Sequence, residues 1–306
     1  MPVDPAFAEL LADRRSELRA PPAHVSADDM RAGNKAYLVT APKTPIHAVA
    51  DRVVPGPAGP LTVRVYRPTS ESQLPAIVFC HGGGFVLGDL DTHDSVCHRL
   101  ASSSGCAVVA VDYRRAPETR FPGPVDDCEA ALRWIAAHSA SLDVDGSRIA
   151  LCGDSAGGNL AAATALRARR HGPVVRHVAL LYPMLDPACD TESMHVYARG
   201  HLLARSAVQW CWSQYLGAPE DAVNPLVALL RADLAGLPTT GVVTAECDPL
   251  RDEGEAFAAS LRAAGVDVIA RRYAGMVHGF AGLPQITPVA TQAIDDIASD
   301  IKSSLA

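Results

Sequence analysis

Several things are scarce or missing in this chain of 306 residues, and each absence removes a class of function. There is no excess of positive charge. The formal net charge is −7, so nothing in the charge balance favours nucleic acid or an anionic membrane surface. No apolar run approaches the roughly 20 residues needed to cross a bilayer. Met1-Pro2-Val3-Asp4-Pro5 has neither a basic start nor an apolar stretch after it, so no secretory signal is visible and the expected location is cytoplasmic. The eight cysteines include no Cys-x-x-Cys pair, and Cys80, Cys106 and Cys152 sit in strand-like apolar runs. They read as free thiols in a reducing compartment, with no metal site expected. His93 and His98 are five apart and do not share a helical face. No internal repeat and no low-complexity tract is found. What remains is plentiful apolar material, 48% of residues, enough for a sizeable core.

The texture of the chain changes near residue 45. Residues 1–45 read as helical: Phe7, Leu10, Leu11 and Leu18 have roughly helical spacing, Pro21-Pro22 interrupts, and Ser26-Ala27-Asp28-Asp29 caps a second helix from about Ala27 to Tyr37. Ala48 to Val54 and Leu61 to Tyr66 then alternate around a Pro/Gly turn, as a hairpin does. Strand-like and helix-like runs follow in alternation. The strands are Ala76–Cys80, Ala107–Tyr113, Ile149–Cys152, Val178–Tyr182, Thr240–Glu246 and Val266–Tyr273; Val125 to His138 is an amphipathic helix. Near-continuous apolar strands separated by helices indicate an α/β fold whose mostly parallel central sheet has helices on both faces. One segment breaks the rhythm. Pro187 to Tyr215 carries Met194, Tyr197, Leu202, Leu203, Trp210, Trp212 and Tyr215 in a chain that is only 5% aromatic. It reads as an insertion that forms a helical cap together with the N-terminal helices. The expected division is 1–45 cap, 46–186 core, 187–216 inserted cap helices and 217–306 core.

Gly153-Asp154-Ser155-Ala156-Gly157-Gly158 places a serine between a strand-like and a helix-like run. A serine on such a sharp turn has its hydroxyl exposed, and small neighbours keep the turn free of collisions. Ser155 is the expected nucleophile. A serine hydroxyl needs a base to take its proton and an acid to orient that base. His278, in a glycine-flanked loop after the last strand, is the only histidine C-terminal to Asp248. Asp248 lies just past the Thr240–Glu246 strand, and Asp252, Glu253 and Glu255 compete for the acid role from the helix-like run beyond it. An oxyanion hole needs backbone N–H groups aimed where negative charge develops. Ala156 offers one, and His81-Gly82-Gly83-Gly84-Phe85, directly after a buried strand, offers others. His81 is assigned to holding that loop. In the cap, Trp210, Leu202 and Leu203 are the candidate lining of an acyl pocket.

Five motifs in this order resemble the bacterial hormone-sensitive-lipase-like esterases, a family of α/β-hydrolases. They are His81-Gly82-Gly83-Gly84, Tyr113-Arg114-Arg115-Ala116-Pro117-Glu118, Gly153 to Gly158, Asp248-Pro249-Leu250-Arg251-Asp252-Glu253 and His278-Gly279-Phe280. The resemblance implies an α/β-hydrolase fold with a helical cap and a carboxylesterase acting on short- to medium-chain acyl esters without a cofactor. It also implies a Ser155, Asp248, His278 triad and an oxyanion hole from Gly83, Gly84 and Ala156. The implied partner is a small-molecule ester, and the chain is expected as monomer or homodimer. Arg115 stands where the family more often has Leu, a departure expected to affect packing. A lactonase, deacetylase or amidase would use the same triad. Plant hormone receptors that resemble the family keep the fold but lose the histidine, so the presence of His278 argues against a receptor.

Overall fold

The computed structural model describes residues 2–13, 16–22 and 24–306. Its centre is a sheet of eight strands: β1 Ala48–Gly56, β2 Gly59–Arg67, β3 Leu74–Cys80, β4 Ala107–Val111, β5 Val144–Asp154, β6 Val175–Leu181, β7 Thr239–Cys247 and β8 Val268–Val277. They lie in the order β1-β2-β4-β3-β5-β6-β7-β8. The β1/β2 hairpin pairs antiparallel from Ala48↔Arg67 to Gly56↔Gly59, and β2 runs antiparallel to β4. From β4 onward every neighbour is parallel. The expected architecture is therefore the observed one, and the expected hairpin forms its antiparallel edge.

The helices are α1 Ala8–Ala12, α2 Ala27–Leu38, α3 Asp94–Ser104, α4 Gly123–Ala137, α5 Ser139–Leu142, α6 Ala156–His171, α7 Glu192–Val196, α8 Arg205–Tyr215, α9 Arg251–Ala263 and α10 Pro288–Leu305. The period-2 alternation of β3 sorts them into two layers. Ala76, Val78 and Cys80 pack into a core shared with α4, α6 and α9, whereas Ile77 and Phe79 face α3 and α10. Both layers are apolar because both faces of a parallel sheet are covered.

The N-terminal stretch departs from the helical expectation. α1 ends at Ala12, and the expected helical spacing through Leu18 crosses Arg14 and Arg15, which lie outside the described residues. Leu18 instead forms a bridge with the insertion: its N–H donates to Leu202 O at 2.6 Å, and its carbonyl accepts from Ala204 N at 2.9 Å. Backbone pairing with a segment nearly two hundred residues away overrides a local apolar spacing. α2 forms as expected, with a capping box in which Ser26 Oγ accepts from Asp29 N at 3.1 Å and Asp29 Oδ2 accepts from Ser26 N at 3.0 Å. Arg31 of α2 holds the helix on the core, donating to Val86 O at 2.9 Å, to Ala116 O at 2.8 Å and to both oxygens of Glu118.

Candidate active site

Strand register brings the predicted site residues to one edge. In β7 and β8, Cys247 lies opposite Val277, so Asp248 and His278 leave adjacent parallel strands side by side. Ser155 follows β5, whose Asp154 lies opposite Leu181, and the glycine loop follows β3, whose Cys80 lies opposite Gly153. All these segments leave the carboxyl ends of parallel strands, where open α/β sheets form their crevices.

The turn after β5 is tight. Ser155 has φ 54° and ψ −121°, a conformation that costs a non-glycine residue about 1–3 kcal/mol. Its N–H donates to Leu181 O at 2.8 Å, and its carbonyl accepts from Gly158 at 3.0 Å and Met184 at 3.1 Å. These three bonds hold the strained residue in place. The surrounding glycines follow from contact: a Cβ on Gly157 would overlap Cys80 O, and one on Gly153 would overlap Gly157 O. β3, β5 and α6 approach so closely that no side chain fits between them.

His278 Nε2 lies 3.0 Å from Ser155 Oγ, and its Nδ1 lies 2.8 Å from Asp248 Oδ2. Asp248 is fully buried, and its Oδ1 accepts from Leu250 N at 2.8 Å. The rival carboxylates are engaged elsewhere. Asp252 accepts from Ser193 N at 2.7 Å and from Arg251, while Glu255 pairs with Arg272 and Thr244. Glu253 is buried beneath the site, accepts from Leu185 N at 2.7 Å, and is held well above the usual carboxylate range by burial. Tyr182, itself at positive φ, sets its ring edge-on to His278 at 4.9 Å.

Opposite Ser155 the glycine loop turns through left-handed conformations, φ 115° at Gly83 and 62° at Gly84. A Cβ on Gly83 would overlap Leu87 O, and one on Gly84 would overlap Cys211 Sγ. The N–H groups of Gly83 and Gly84 donate to no acceptor among the described residues, and that of Ala156 is the first of a helix, where no intrahelical partner exists. The loop is held from behind. Tyr113 Oη donates to His81 O at 2.7 Å, and the Tyr113 ring stacks on the His81 imidazole at 4.2 Å. Burial pushes the His81 imidazole down to about 3, so it is neutral in its place behind the loop. Phe85 stacks on Tyr215 of α8 at 3.8 Å, which ties the insertion to the loop. Arg115, the departure from the family pattern, donates to Gly88 O and so braces the end of this same loop.

A cavity of about 170 Å³ opens onto Ser155 and His278. Leu18, Asn34, Leu203, Val208 and Cys211 line it from the N-terminal segment and the insertion, with Met184 below. Of the three candidates for an acyl pocket, Leu203 is in this lining, and Leu202 and Trp210 are not. Leu202 adjoins Leu203 but bends through a left-handed backbone, φ 66°, and packs into the other core layer, against the group that includes Phe280. Trp210 is the immediate neighbour of Cys211 on α8, about 100° around the helix, and so faces elsewhere. Val208 and Cys211, three apart on one face, take the place expected for it. Their spacing is a usable signal; nothing local marks Met184, Asn34 or His93.

A family described as alpha/beta hydrolase fold matches residues 77–282. The chain belongs to the α/β-hydrolase family. It is 39% identical over 286 residues to a carboxylic ester hydrolase of Mycobacterium tuberculosis, covering 90% of this chain and 76% of the relative. An arylesterase of Saccharolobus solfataricus is 36% identical and covers 88% of each chain. Among solved structures, a hyperthermophilic esterase from the archaeon Pyrobaculum calidifontis superposes with a TM-score of 0.93 at 41% identity, covering all of both chains. The resemblance to hormone-sensitive-lipase-like esterases thus holds at the level of family and fold. No helix among the described residues is long and apolar enough to cross a membrane.

Proposed function

We propose that this α/β-hydrolase is a serine carboxylesterase acting on small acyl esters. The observation that carries the reading is the continuous chain Ser155 Oγ···Nε2 His278 Nδ1···Oδ2 Asp248, at 3.0 and 2.8 Å, facing unpaired loop amides across a mostly apolar cavity. Asp248 fixes the tautomer with the proton on Nδ1, leaving Nε2 free to accept from Ser155. Ser155 Oγ attacks the ester carbonyl as its proton passes to His278. The N–H groups of Gly83, Gly84 and Ala156 receive the oxyanion. His278 then protonates the leaving alcohol, and an acyl-Ser155 remains. A water, deprotonated by His278, attacks the acyl carbon; collapse returns the proton to Ser155 and releases the acid. Each donor is worth about 3 kcal/mol to the transition state. Named activities of the relatives, a carboxylic ester hydrolase and an arylesterase, agree with this reading.

The cavity of about 170 Å³ favours short acyl chains, since a void of about 150 Å³ holds a molecule the size of benzene. Residues 1–45 and 187–216 act as the cap, joined by the Leu18 bridge. Eight free, buried cysteines suit a reducing, cytoplasmic setting, with the chain as monomer or homodimer. The test is Ser155→Ala, assayed with a panel of p-nitrophenyl esters, a lactone and an anilide. The expected loss is on the order of 10⁴-fold or more on every ester the parent cleaves. A variant that hydrolyses acetate or butyrate esters at the parental rate refutes the proposal, and a parent that cleaves only the lactone or the anilide moves the activity to those acyl groups.

A further inference from the structure

Asp154 and His93, a carboxylate and an imidazole in the cavity wall, take no part in the proton relay. Asp154 precedes Ser155, yet its carboxylate turns away from His278 and under the glycine loop, where Oδ1 accepts from Gly82 N at 2.8 Å. A Cβ on Gly82 would overlap Asp154 Oδ2, so only glycine lets this peptide rest on the carboxylate. His93, at the N-cap of α3, closes on the same group from the other side. Its Nε2 lies 3.3 Å from Asp154 Oδ1 and 3.4 Å from Oδ2. Its Nδ1 lies 2.9 Å from Thr92 Oγ1, which accepts from Asp89 N at 2.8 Å and lies 2.9 Å from Asp89 O.

The hydrogen-bond inventory settles where the His93 proton sits. If the Thr92 hydroxyl donates to Nδ1, Nε2 must carry the proton. If that hydroxyl donates to Asp89 O, Nδ1 donates to it, and an Nε2 without a proton would face two carboxylate oxygens lone pair to lone pair. The contact from Gly82 N, at 3.2 Å, does not offset this, because that N–H is already committed to Oδ1 at 2.8 Å. In both arrangements compatible with the carboxylate, Nε2–H points at Asp154. The charge balance agrees. Burial opposes a charge on His93, but the Asp154 carboxylate, with Asp89, holds the imidazole above its ordinary range, and His93 in turn keeps Asp154 low against burial.

We propose that His93 and Asp154 are positioning residues for the oxyanion hole. His93 fixes the rotamer of Asp154, Asp154 fixes the Gly82 peptide, and the next two amides, Gly83 and Gly84, are thereby aimed at the reacting oxygen. The far end of the loop is fixed separately, by Phe85 O accepting from Ala116 N at 2.9 Å and by the Phe85–Tyr215 stack. Without the Asp154 anchor the Gly82 N–H loses its acceptor, and the near side of the loop keeps the Tyr113 hydroxyl on His81 O, one peptide before the donors. The inference rests on the esterase reading of the site.

A direct readout is selectivity for an ester over its thionoester, because a hole built for oxygen accepts the larger, weaker-accepting sulfur anion poorly. Purified parent, His93→Ala, His93→Gln, Asp154→Ala and Asp154→Asn are compared for kcat, KM, oxygen-over-sulfur selectivity and Tm. The alanine variants are expected to lose about 10- to 100-fold in kcat with KM within about threefold, less than outright removal of a donor. Their oxygen-over-sulfur selectivity should fall by a similar factor. Gln places an N–H near the Nε2 position, and Asn retains an acceptor for Gly82, so both should recover most of the selectivity. If selectivity stays at the parental value in all four while only Tm falls, the pair is merely structural and the proposal is overturned. Should the alanine variants fail to fold, the Gln and Asn variants decide alone: selectivity reduced mildly with kcat supports it, and unchanged selectivity at reduced kcat overturns it. A parent that cleaves no ester would instead sink the esterase reading, a distinguishable outcome.

Discussion

Replacing Asp248 by asparagine exchanges one carboxylate oxygen for an amide nitrogen, and the structure says which one. Asp248 is fully buried between two donors: Leu250 N–H at 2.8 Å on Oδ1 and His278 Nδ1 at 2.8 Å on Oδ2. The amide side chain of the Asp248→Asn variant has one acceptor oxygen to share between them. If the oxygen faces His278, the amide NH₂ confronts the Leu250 N–H, donor against donor, in a buried place where an unmet donor costs about 1–3 kcal/mol. If the oxygen faces Leu250, the NH₂ faces His278, and the imidazole answers by moving its proton from Nδ1 to Nε2. The second arrangement satisfies every group and is therefore the expected one. It also points Nε2–H at Ser155 Oγ, 3.0 Å away, so the base arrives already protonated. The expected loss in kcat is about 10⁴-fold, or about 5 kcal/mol of transition-state stabilisation, with fold and Tm little changed. Asp252→Asn is the control. Asp252 accepts from Ser193 N and Arg251 and does not contact His278, so its variant should stay within about threefold of the parent. The assay is initial rate on p-nitrophenyl butyrate across pH 6–9, with thermal unfolding alongside. An Asp248→Asn enzyme within tenfold of the parent, or an Asp252→Asn enzyme more impaired than it, refutes the tautomer argument.

Two further outcomes follow from the packing. His177, on β6, is fully buried against α10, with Nδ1 3.0 Å from Ser304 Oγ and Nε2 without a partner among the described residues, and burial pushes its imidazole down to about 4. The unfolded chain takes up this proton near pH 6.5 and the folded one only near 4, so its stabilising share is complete above pH 6.5 and lost as pH falls through 4. The gap corresponds to about 3 kcal/mol, so His177→Leu should flatten the denaturant-measured stability between pH 7 and 4 by that amount, and parallel pH curves for parent and variant would contradict it. Leu203→Ala should raise the rate on longer acyl esters relative to butyrate, by up to about fourfold for each methylene newly accommodated. Trp210→Ala and Leu202→Ala should leave the chain-length ratio where it was, and a shift caused by Trp210→Ala would show that the cavity lining has been misassigned.

How much of this is readable from sequence depends on whether a requirement is local. The elbow is legible because its glycines answer to backbone contact: Gly153 and Gly157 leave no room for a Cβ against each other and against Cys80. Asp248 and His278 are legible by order and by the ends of strands, although only the Cys247↔Val277 register explains why they meet. The lining of the proposed acyl pocket is half legible. An insertion rich in apolar residues points to the proposed cap, but which side of α8 faces inward depends on the loop it packs against, and Cys211 rather than Trp210 turns toward Gly84. Leu18 shows the opposite failure, a helical spacing overridden by a backbone bridge to Leu203. In the sequence His93 shows only as one of two histidines badly spaced for a metal. Its partner sits inside the serine motif itself, because Asp154 serves not the hydroxyl beside it but a peptide on the loop opposite. A residue whose partner lies across the sheet edge leaves no periodic trace, and the contacts that Asp154, Tyr113 and Tyr215 make to the His81–Phe85 loop are all of this kind.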